Sequence, residues 1–310
     1  MASSPRLNQE AGTAKSDAPN PDLGLSLEAF TEFTDLVKRS PRIFALIGAG
    51  LSASCGLATF RGEDRLWRGL EPADLGWASK FDEDPVLVWW LFTDRMMRSQ
   101  RAKPNAGHVA LAKLAEQHPG FFAVNQNVDG LLHRSGFPPS QIAQIHGDLF
   151  SIKCSNKDCD YVANVTYPIN KGLTIPEGAD ISDANVPLPN ISREDLPHCP
   201  KCNHLLRPNV VWFGESIKQE TLDRIYAFQS IGAIDLMLVV GTSCVVLPAS
   251  MYIKSARLAG ARVAMFNLDD SDESEMAELY RGDWFFKGDA AVTVAEMLKG
   301  VIGNVVGHDR

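Results

Sequence analysis

The sequence predicts an α/β fold, a doubly wound parallel sheet with a second, smaller module. Short, continuously apolar runs recur along the chain (Ile43–Ile47, Phe121–Val124, Asp235–Val240), as strands buried on both faces would show. Segments with helical spacing alternate with these runs. Polar or glycine-rich turns follow the C-terminal ends of the runs, where open parallel sheets bind their ligands. The 310 residues are 45% hydrophobic and 22% charged, enough chain for one large core and a small additional module. The net charge of −8 disfavours general nucleic-acid binding. No apolar run reaches the roughly 18 residues of a membrane span.

Residues 1–24 are rich in Ala, Ser, Pro and Asn and read as a disordered tail. Its acids Glu10, Asp17 and Asp22 make it a poor mitochondrial presequence, so an intracellular protein of the cytoplasm or nucleus is expected. Leu25 to Lys38 carries Leu27, Phe30, Phe33 and Val37 at helical spacing. After the strand Ile43–Ile47 come Gly48, Gly50 and Ala53, spaced G-x-G-x-x-A. That spacing suits a strand-to-helix turn whose backbone N–H groups approach a pyrophosphate. The ribose-binding acid expected about 20 residues later in a dehydrogenase is missing. Arg61 to about Leu75 reads as a loop over the nucleotide.

A helix is expected from Asp84-Pro85 to Arg101, with Phe92 and Arg95 on one face. Pro104 to Gln117 restarts a helix, with His108 near its first turn as a capping or loop-bonding group. The strand Phe121–Val124 delivers the cluster Asn125-Gln126-Asn127-Val128-Asp129, whose amides can donate and whose carboxylate can accept. His146, just after Ile145, belongs to the residue type that exchanges protons near neutral pH.

Four of the six cysteines form two pairs, Cys154 with Cys159 and Cys199 with Cys202. In a chain without a secretory signal, such pairs predict a tetrahedral, structural zinc site rather than disulfides. The stretch Tyr161–Pro197 between them should be mostly loop. Arg207 to Glu215 then returns to the sheet as a strand, either buried or with an open edge for an extended peptide. Helices are expected at Ser216–Ile231, Ala249–Ala259 and Ala290–Lys299, and strands at Asp235–Val240, Arg262–Asn267 and Trp284–Lys287. The turn Gly241-Thr242-Ser243 is a second phosphate- or ribose-type turn.

Together these motifs resemble the sirtuin family of NAD-dependent protein-lysine deacylases, over about Leu25 to Lys299. The residues that carry the likeness are Gly48-Ala49-Gly50-x-Ser52-Ala53 with Thr59-Phe60-Arg61-Gly62, Gln126-Asn127-Val128-Asp129 and Ile145-His146-Gly147. The two cysteine pairs, Val211-Trp212-Phe213-Gly214-Glu215, Gly241-Thr242-Ser243 and Asn267 complete the set.

The resemblance implies a Rossmann-like NAD-binding domain at 25–150 and 208–310, with a cofactor loop and helical module at 60–120. A zinc-binding domain at 151–207, holding one structural zinc on Cys154, Cys159, Cys199 and Cys202, is inserted into it. NAD would lie on Gly48, Ala49, Gly50, Ser52 and Ala53, with Thr59, Phe60, Arg61 and Trp67 from the cofactor loop. Gly241, Thr242, Ser243, Asn267, Leu268, Asp269 and Ala290 would reach its adenosine half. Gln126, Asn127 and Asp129 would surround the nicotinamide and its ribose and, with His146 as general base, make up the catalytic set. The acyl-lysine peptide would add as a strand beside Val211, Trp212, Phe213, Gly214 and Glu215. The products would be nicotinamide, free lysine and O-acyl-ADP-ribose.

A finer likeness is to the subgroup that removes succinyl, malonyl and glutaryl groups. Arg95 matches that subgroup's carboxylate-binding Arg and Gly76 its small pocket residue, but Phe92 stands where a Tyr is expected. The lost hydroxyl removes a hydrogen bond to a charged acceptor worth about 1.5–3 kcal/mol. Acid acyl groups are therefore expected to remain preferred, less selectively, with acetyl also accepted. Competing readings are a protein ADP-ribosyltransferase, a non-catalytic NAD-binding scaffold and a hydride-transferring dehydrogenase.

Overall fold

The computed structural model describes residue 20 and residues 26–59, 66–268 and 278–307. The expectations for the tail, apart from residue 20, and for Phe60, Arg61 and Asp269 lie outside the described residues.

Strands β1 (Ile43–Ile47), β2 (Phe121–Asn125), β3 (Ile142–Gln144), β7 (Leu236–Val240), β8 (Arg262–Asn267) and β9 (Trp284–Lys287) form one six-stranded sheet. Its order is β3-β2-β1-β7-β8-β9, and every pair is parallel. β1, β2 and β7 are buried along their whole length, because helices cover both faces. The strand order reverses between β1 and β7, and open parallel sheets bind ligands at such a point.

One face carries α1 (Leu27–Arg39), α6 (Ala106–Gln117) and α10 (Ala290–Ile302), which share a core with the sheet. Phe33, fully buried on α1, meets Phe266, Trp284 and Phe286 edge-on at ring-centroid distances of 6.0, 5.7 and 5.3 Å. The opposite face carries α8 (Gln219–Ser230) and α9 (Met251–Leu258). Ser26 caps α1 by accepting from the Ala29 N–H, and Asp84 caps α5 (Pro85–Arg101) by accepting from Leu87.

A second sheet is antiparallel, with order β5-β4-β6, from β4 (Gly147–Cys154), β5 (Val162–Asn164) and β6 (Leu206–Val210). Here the structure corrects the reading of Arg207–Glu215 as a return to the main sheet. Leu206 to Val210 pairs instead with β4, with Cys154 opposite Leu206 and Gly147 opposite Val210. β6 is an edge strand, which is where a strand proline such as Pro208 is tolerated. The boundaries expected at 150/151 and 207/208 therefore fall inside β4 and β6. The loop at 161–197 is as irregular as its composition suggests, yet Leu173, Ile175, Ile181 and Leu196 are buried in a core shared with α5. The loop expected up to Leu75 contains a helical turn, α3 (Pro72–Leu75), and α4 (Ala78–Glu83) follows.

Phe33→Ala should lower stability by about 3–5 kcal/mol, through lost burial and an unfilled cavity among three aromatic rings. The shift in the urea midpoint measures it, and a loss under about 1 kcal/mol would contradict this packing.

Candidate active site

At the sheet's reversal point the chain comes within touching distance of itself. The Gly48 N–H donates to the Val240 carbonyl, and the Gly50 N–H to the Gly241 carbonyl, both at 2.8 Å. A Cβ on Gly48 would lie 2.6 Å from the Gly241 oxygen, and a Cβ on Gly50 would lie 2.7 Å from the Gly241 Cα. Gly241 itself has φ +56° and would press a Cβ to 2.4 Å from the Leu51 nitrogen. No side chain fits at these three positions, so both glycine turns are brought to one place. The turn after Ala49 is a single helical turn, α2 (Gly50–Ala53).

Polar groups from β2's C-terminal end close around this turn. The Asn127 amide donates to the Gly48 carbonyl at 2.9 Å, and the Gln126 amide to Thr242 Oγ1 at 3.0 Å. Ser52 Oγ donates to Asp129 Oδ2 at 2.7 Å, while Asp129 Oδ1 accepts from the Leu131 N–H. Asn267 reaches the Thr242 carbonyl at 3.3 Å, and Ala290 is buried at the start of α10. Ser243 and Thr59 are partly buried, Trp67 is buried, and Leu268 is exposed. His108 behaves as a cap, as its position suggested: Asn105 Oδ1 accepts from the His108 N–H, and His108 Nδ1 lies 2.8 Å from that same oxygen. It also does something the sequence did not reveal. Its Nε2 lies 3.3 Å from Ser52 Oγ, so a fully buried imidazole adjoins the Asp129 network. Burial lowers the His108 pKa to about 3.

His146 sits between the two sheets, just past β3 and before β4. Its Nδ1 is 2.9 Å from the Gln126 carbonyl oxygen. A carbonyl only accepts, so Nδ1 carries the proton and Nε2 keeps its lone pair. Burial lowers its pKa, against an opposing pull from that hydrogen bond, so the ring is neutral near pH 7.

The residues read as the acyl and peptide subsites also assemble. The Val211 N–H donates to the His146 carbonyl at 2.9 Å, and the Phe213 N–H to the Gly76 carbonyl at 2.8 Å. Gly76 lies against Phe213, and Trp212 packs on Phe81 and Phe92 at 5.3 and 5.9 Å. Arg95 is partly buried one helical turn from Phe92, and burial pushes its pKa down. Glu215 receives a bidentate bond from Arg207, at 2.6 and 2.8 Å. Burial pushes the Glu215 carboxyl up, but Arg207 and the Trp212 N–H outweigh it and hold the group below its usual range. Arg207 was not singled out from sequence. Its signal was a lone cation in a strand with no other charged residue.

The thiols of Cys154, Cys159, Cys199 and Cys202 all lie within 4.8 Å of one another, and all are free cysteines. Cys154 Sγ is 3.4 Å from Cys202 Sγ, and Cys159 Sγ is 3.7 Å from Cys199 Sγ. Tetrahedral zinc with Zn–S bonds of about 2.3 Å needs S···S edges of about 3.8 Å. The four thiols therefore fit a zinc ion, and no protein position remains open for catalysis.

The His108 environment makes stability depend on pH. The folded state holds the neutral ring, so the unfolded chain takes up the proton first as pH falls. Its contribution is complete above about pH 6.5 and is lost towards pH 3, by about 1.4 kcal/mol per pH unit. Asp129, whose pKa burial raises, works in the opposite direction, so the comparison must be between variants. His108→Gln should flatten the acid loss of urea stability between pH 7 and pH 5 relative to the unaltered protein; parallel slopes would contradict the assignment.

Comparison with known proteins places this geometry. The Sir2 family profile matches residues 48–248. A Candida albicans protein named NAD-dependent protein deacylase is 40% identical, over 88% of this chain and 98% of its own. The dog protein named NAD-dependent protein deacylase sirtuin-5, mitochondrial, is 35% identical, over 86% of this chain and 84% of its own. A Sir2 homologue solved with NAD superposes with a TM-score of 0.71 at 30% identity, covering 87% of this chain and 92% of that one. A Sir2 structure with a deacetylated p53 peptide and 3'-O-acetyl-ADP-ribose gives a TM-score of 0.69 at 25% identity, covering 88% and 98%. Two glycine turns meeting at a sheet reversal, a neutral histidine beside them and a four-thiol module are thus found in a chain that belongs to the Sir2 family.

Proposed function

We propose that this chain is an NAD-dependent protein-lysine deacylase that acts on acyl-lysine peptides bound beside Val211 to Glu215. The observation that carries the reading is His146, held neutral with its Nε2 lone pair free, between the glycine-turn network and the Val211–Glu215 segment. A deacylase of this kind splits NAD at its nicotinamide–ribose bond and passes the acyl group to the ribose, so no hydride moves. Gly48, Gly50 and Gly241 bring the two turns into contact, and the pyrophosphate would lie along that junction. Asn127, Asp129 and Ser52 present a hydrogen-bonded polar wall to the nicotinamide ribose. His146 Nε2 takes the proton of a ribose hydroxyl. General-base help of this kind is worth on the order of 10²–10⁴ in rate. The parallel sheet carries NAD, and the module around the antiparallel sheet holds zinc on Cys154, Cys159, Cys199 and Cys202.

The acyl preference rests on α5. Arg95 offers a charge-assisted, bidentate partner to an acyl carboxylate. Phe92 contributes only its ring, packed on Trp212. Succinyl, malonyl and glutaryl groups are therefore preferred, with acetyl accepted at a reduced margin.

Mass spectrometry of one peptide carrying acetyl-, succinyl- or glutaryl-lysine, with and without NAD, tests the reading. The acid acyl groups should be lost faster, and only with NAD. Faster loss of acetyl would refute the acyl preference, and NAD consumption without any acyl loss would favour ADP-ribosyl transfer. His146→Tyr should reduce deacylation at least about 10²-fold while NAD affinity stays within a few-fold; an active variant would show that another group is the base. Metal analysis should find one zinc per chain. Cys199→Ser should abolish that content and destabilise the β4–β6 module. Active protein free of zinc would refute the metal assignment.

A further inference from the structure

Trp212 packs on Phe92 in the proposed acyl subsite, and no hydrogen bond among the described residues holds its ring. It is 3% exposed, and its Nε1 has no hydrogen-bond partner among the described residues. Its plane is set by three packed neighbours. Phe81 and Phe92 lie tilted against it at ring-centroid distances of 5.3 and 5.9 Å. The third is the Arg207 guanidinium, whose Cζ sits 3.4 Å from the ring centroid, closer than either phenyl ring.

Arg207 is itself almost wholly buried and is oriented by Glu215. Its Nη1 and Nη2 donate to the two carboxylate oxygens of Glu215 at 2.6 and 2.8 Å, and Nη2 also donates to the Val210 carbonyl. This two-pronged geometry fixes the guanidinium plane as well as its position. Glu215 also grips Trp212 directly, because its Oε2 accepts the Trp212 backbone N–H at 3.0 Å. One carboxylate therefore holds Trp212 twice: at the main chain, and at the ring through Arg207. A further cation near the pair is Lys153 on β4, 3.9 Å from the same Oε2. The neighbouring residues are tied down as well, Val211 to His146 and Phe213 to Gly76.

We propose that Arg207 and Glu215 are positioning residues for the acyl-lysine subsite, setting the plane of Trp212 and, through its contact with Phe92, the discrimination among acyl groups. Glu215 then acts within the protein and not by touching the peptide, which refines its place among the candidate substrate residues. The inference rests on the deacylase reading and adds to it the origin of the pocket's shape. It fits the replacement of a tyrosine by Phe92. With no hydroxyl at that position, the aromatic wall depends on packing, and Arg207 supplies its most intimate contact.

The test uses the full chain with Arg207→Lys and Glu215→Gln. The lysine keeps the charge but has no planar face to stack and no paired donors. The glutamine keeps the volume and removes the charge that orients the guanidinium. Steady-state kinetics are measured with succinyl- and acetyl-peptides and with NAD varied separately. Both variants should lower kcat/KM for the succinyl-peptide by on the order of 10- to 100-fold. The succinyl-to-acetyl ratio should narrow, while the KM for NAD stays within roughly twofold. A merely structural pair would change both acyl substrates by the same factor, or would move the NAD and peptide constants together, and either result overturns the proposal. Should Arg207→Lys fail to fold, Glu215→Gln alone decides it by the same ratio. An unaltered protein that removes no acyl group overturns the deacylase reading and this inference with it, whereas an active protein with unchanged ratios in the variants overturns this inference alone.

Discussion

The contact on which this molecule turns is a backbone one. Gly48 and Gly50 press against Gly241 so closely that a methyl group at any of the three would overlap main-chain atoms. Main chain cannot yield as a flexible side chain can, so the three glycines are required by space and not only by conformation. The contact joins the ends of β1 and β7, the neighbouring strands at which the sheet reverses its order. Everything proposed for NAD hangs from that junction. Asn127 reaches the Gly48 carbonyl and Gln126 reaches Thr242, so the amides of β2 are registered on both turns at once.

From this junction the site extends in two directions with different physics. Towards α6 it is a buried polar network. Ser52, Asp129, His108 and Asn105 satisfy one another away from water, and the imidazole stays uncharged because burial penalises its cation. Such a network is rigid, since each group would be costly to leave unpaired. Towards the small sheet the site is aromatic. Phe81, Phe92 and Trp212 meet there, and ring packing shapes that side of the site. The proposed base stands where the two regions join, bonded to Gln126 on one side and Val211 on the other.

The same division explains how two sheets act as one site. β3 and β4 follow each other through His146 with no intervening loop, so the histidine is fixed by both sheets. The segment after β6 is tied back to His146 and to Gly76, which lies just after α3. The cysteine cluster holds the ends of β4 and the start of β6 together from the far side. The cysteine cluster, the antiparallel sheet and the Val211–Glu215 segment thus form one continuous support for the proposed acyl subsite.

Much of this was legible in the sequence because it depends on local pattern. Apolar runs marked the strands of the parallel sheet, and each of β1, β7, β8 and β9 lies within a residue or so of its expected bounds. The two cysteine pairs announced a shared site because thiols so spaced have few other uses, and the glycine turns did so because glycine marks a close approach. The pairing of Leu206–Val210 was not legible. A strand's partner is chosen by long-range contacts, and β4, interrupted by a bulge and mixed in polarity, carried no clear periodic signal. Nor could spacing show that His108 adjoins Ser52, 56 residues away, or that Arg207 lies flat on Trp212. The sequence by itself determined the fold class, the metal-binding thiols and the residues gathered at strand ends, since these follow from periodicity and residue chemistry. Only the tertiary structure decided which sheet β6 joins, which tautomer His146 holds and which charges are buried together, because those follow from distances between segments that are remote along the chain.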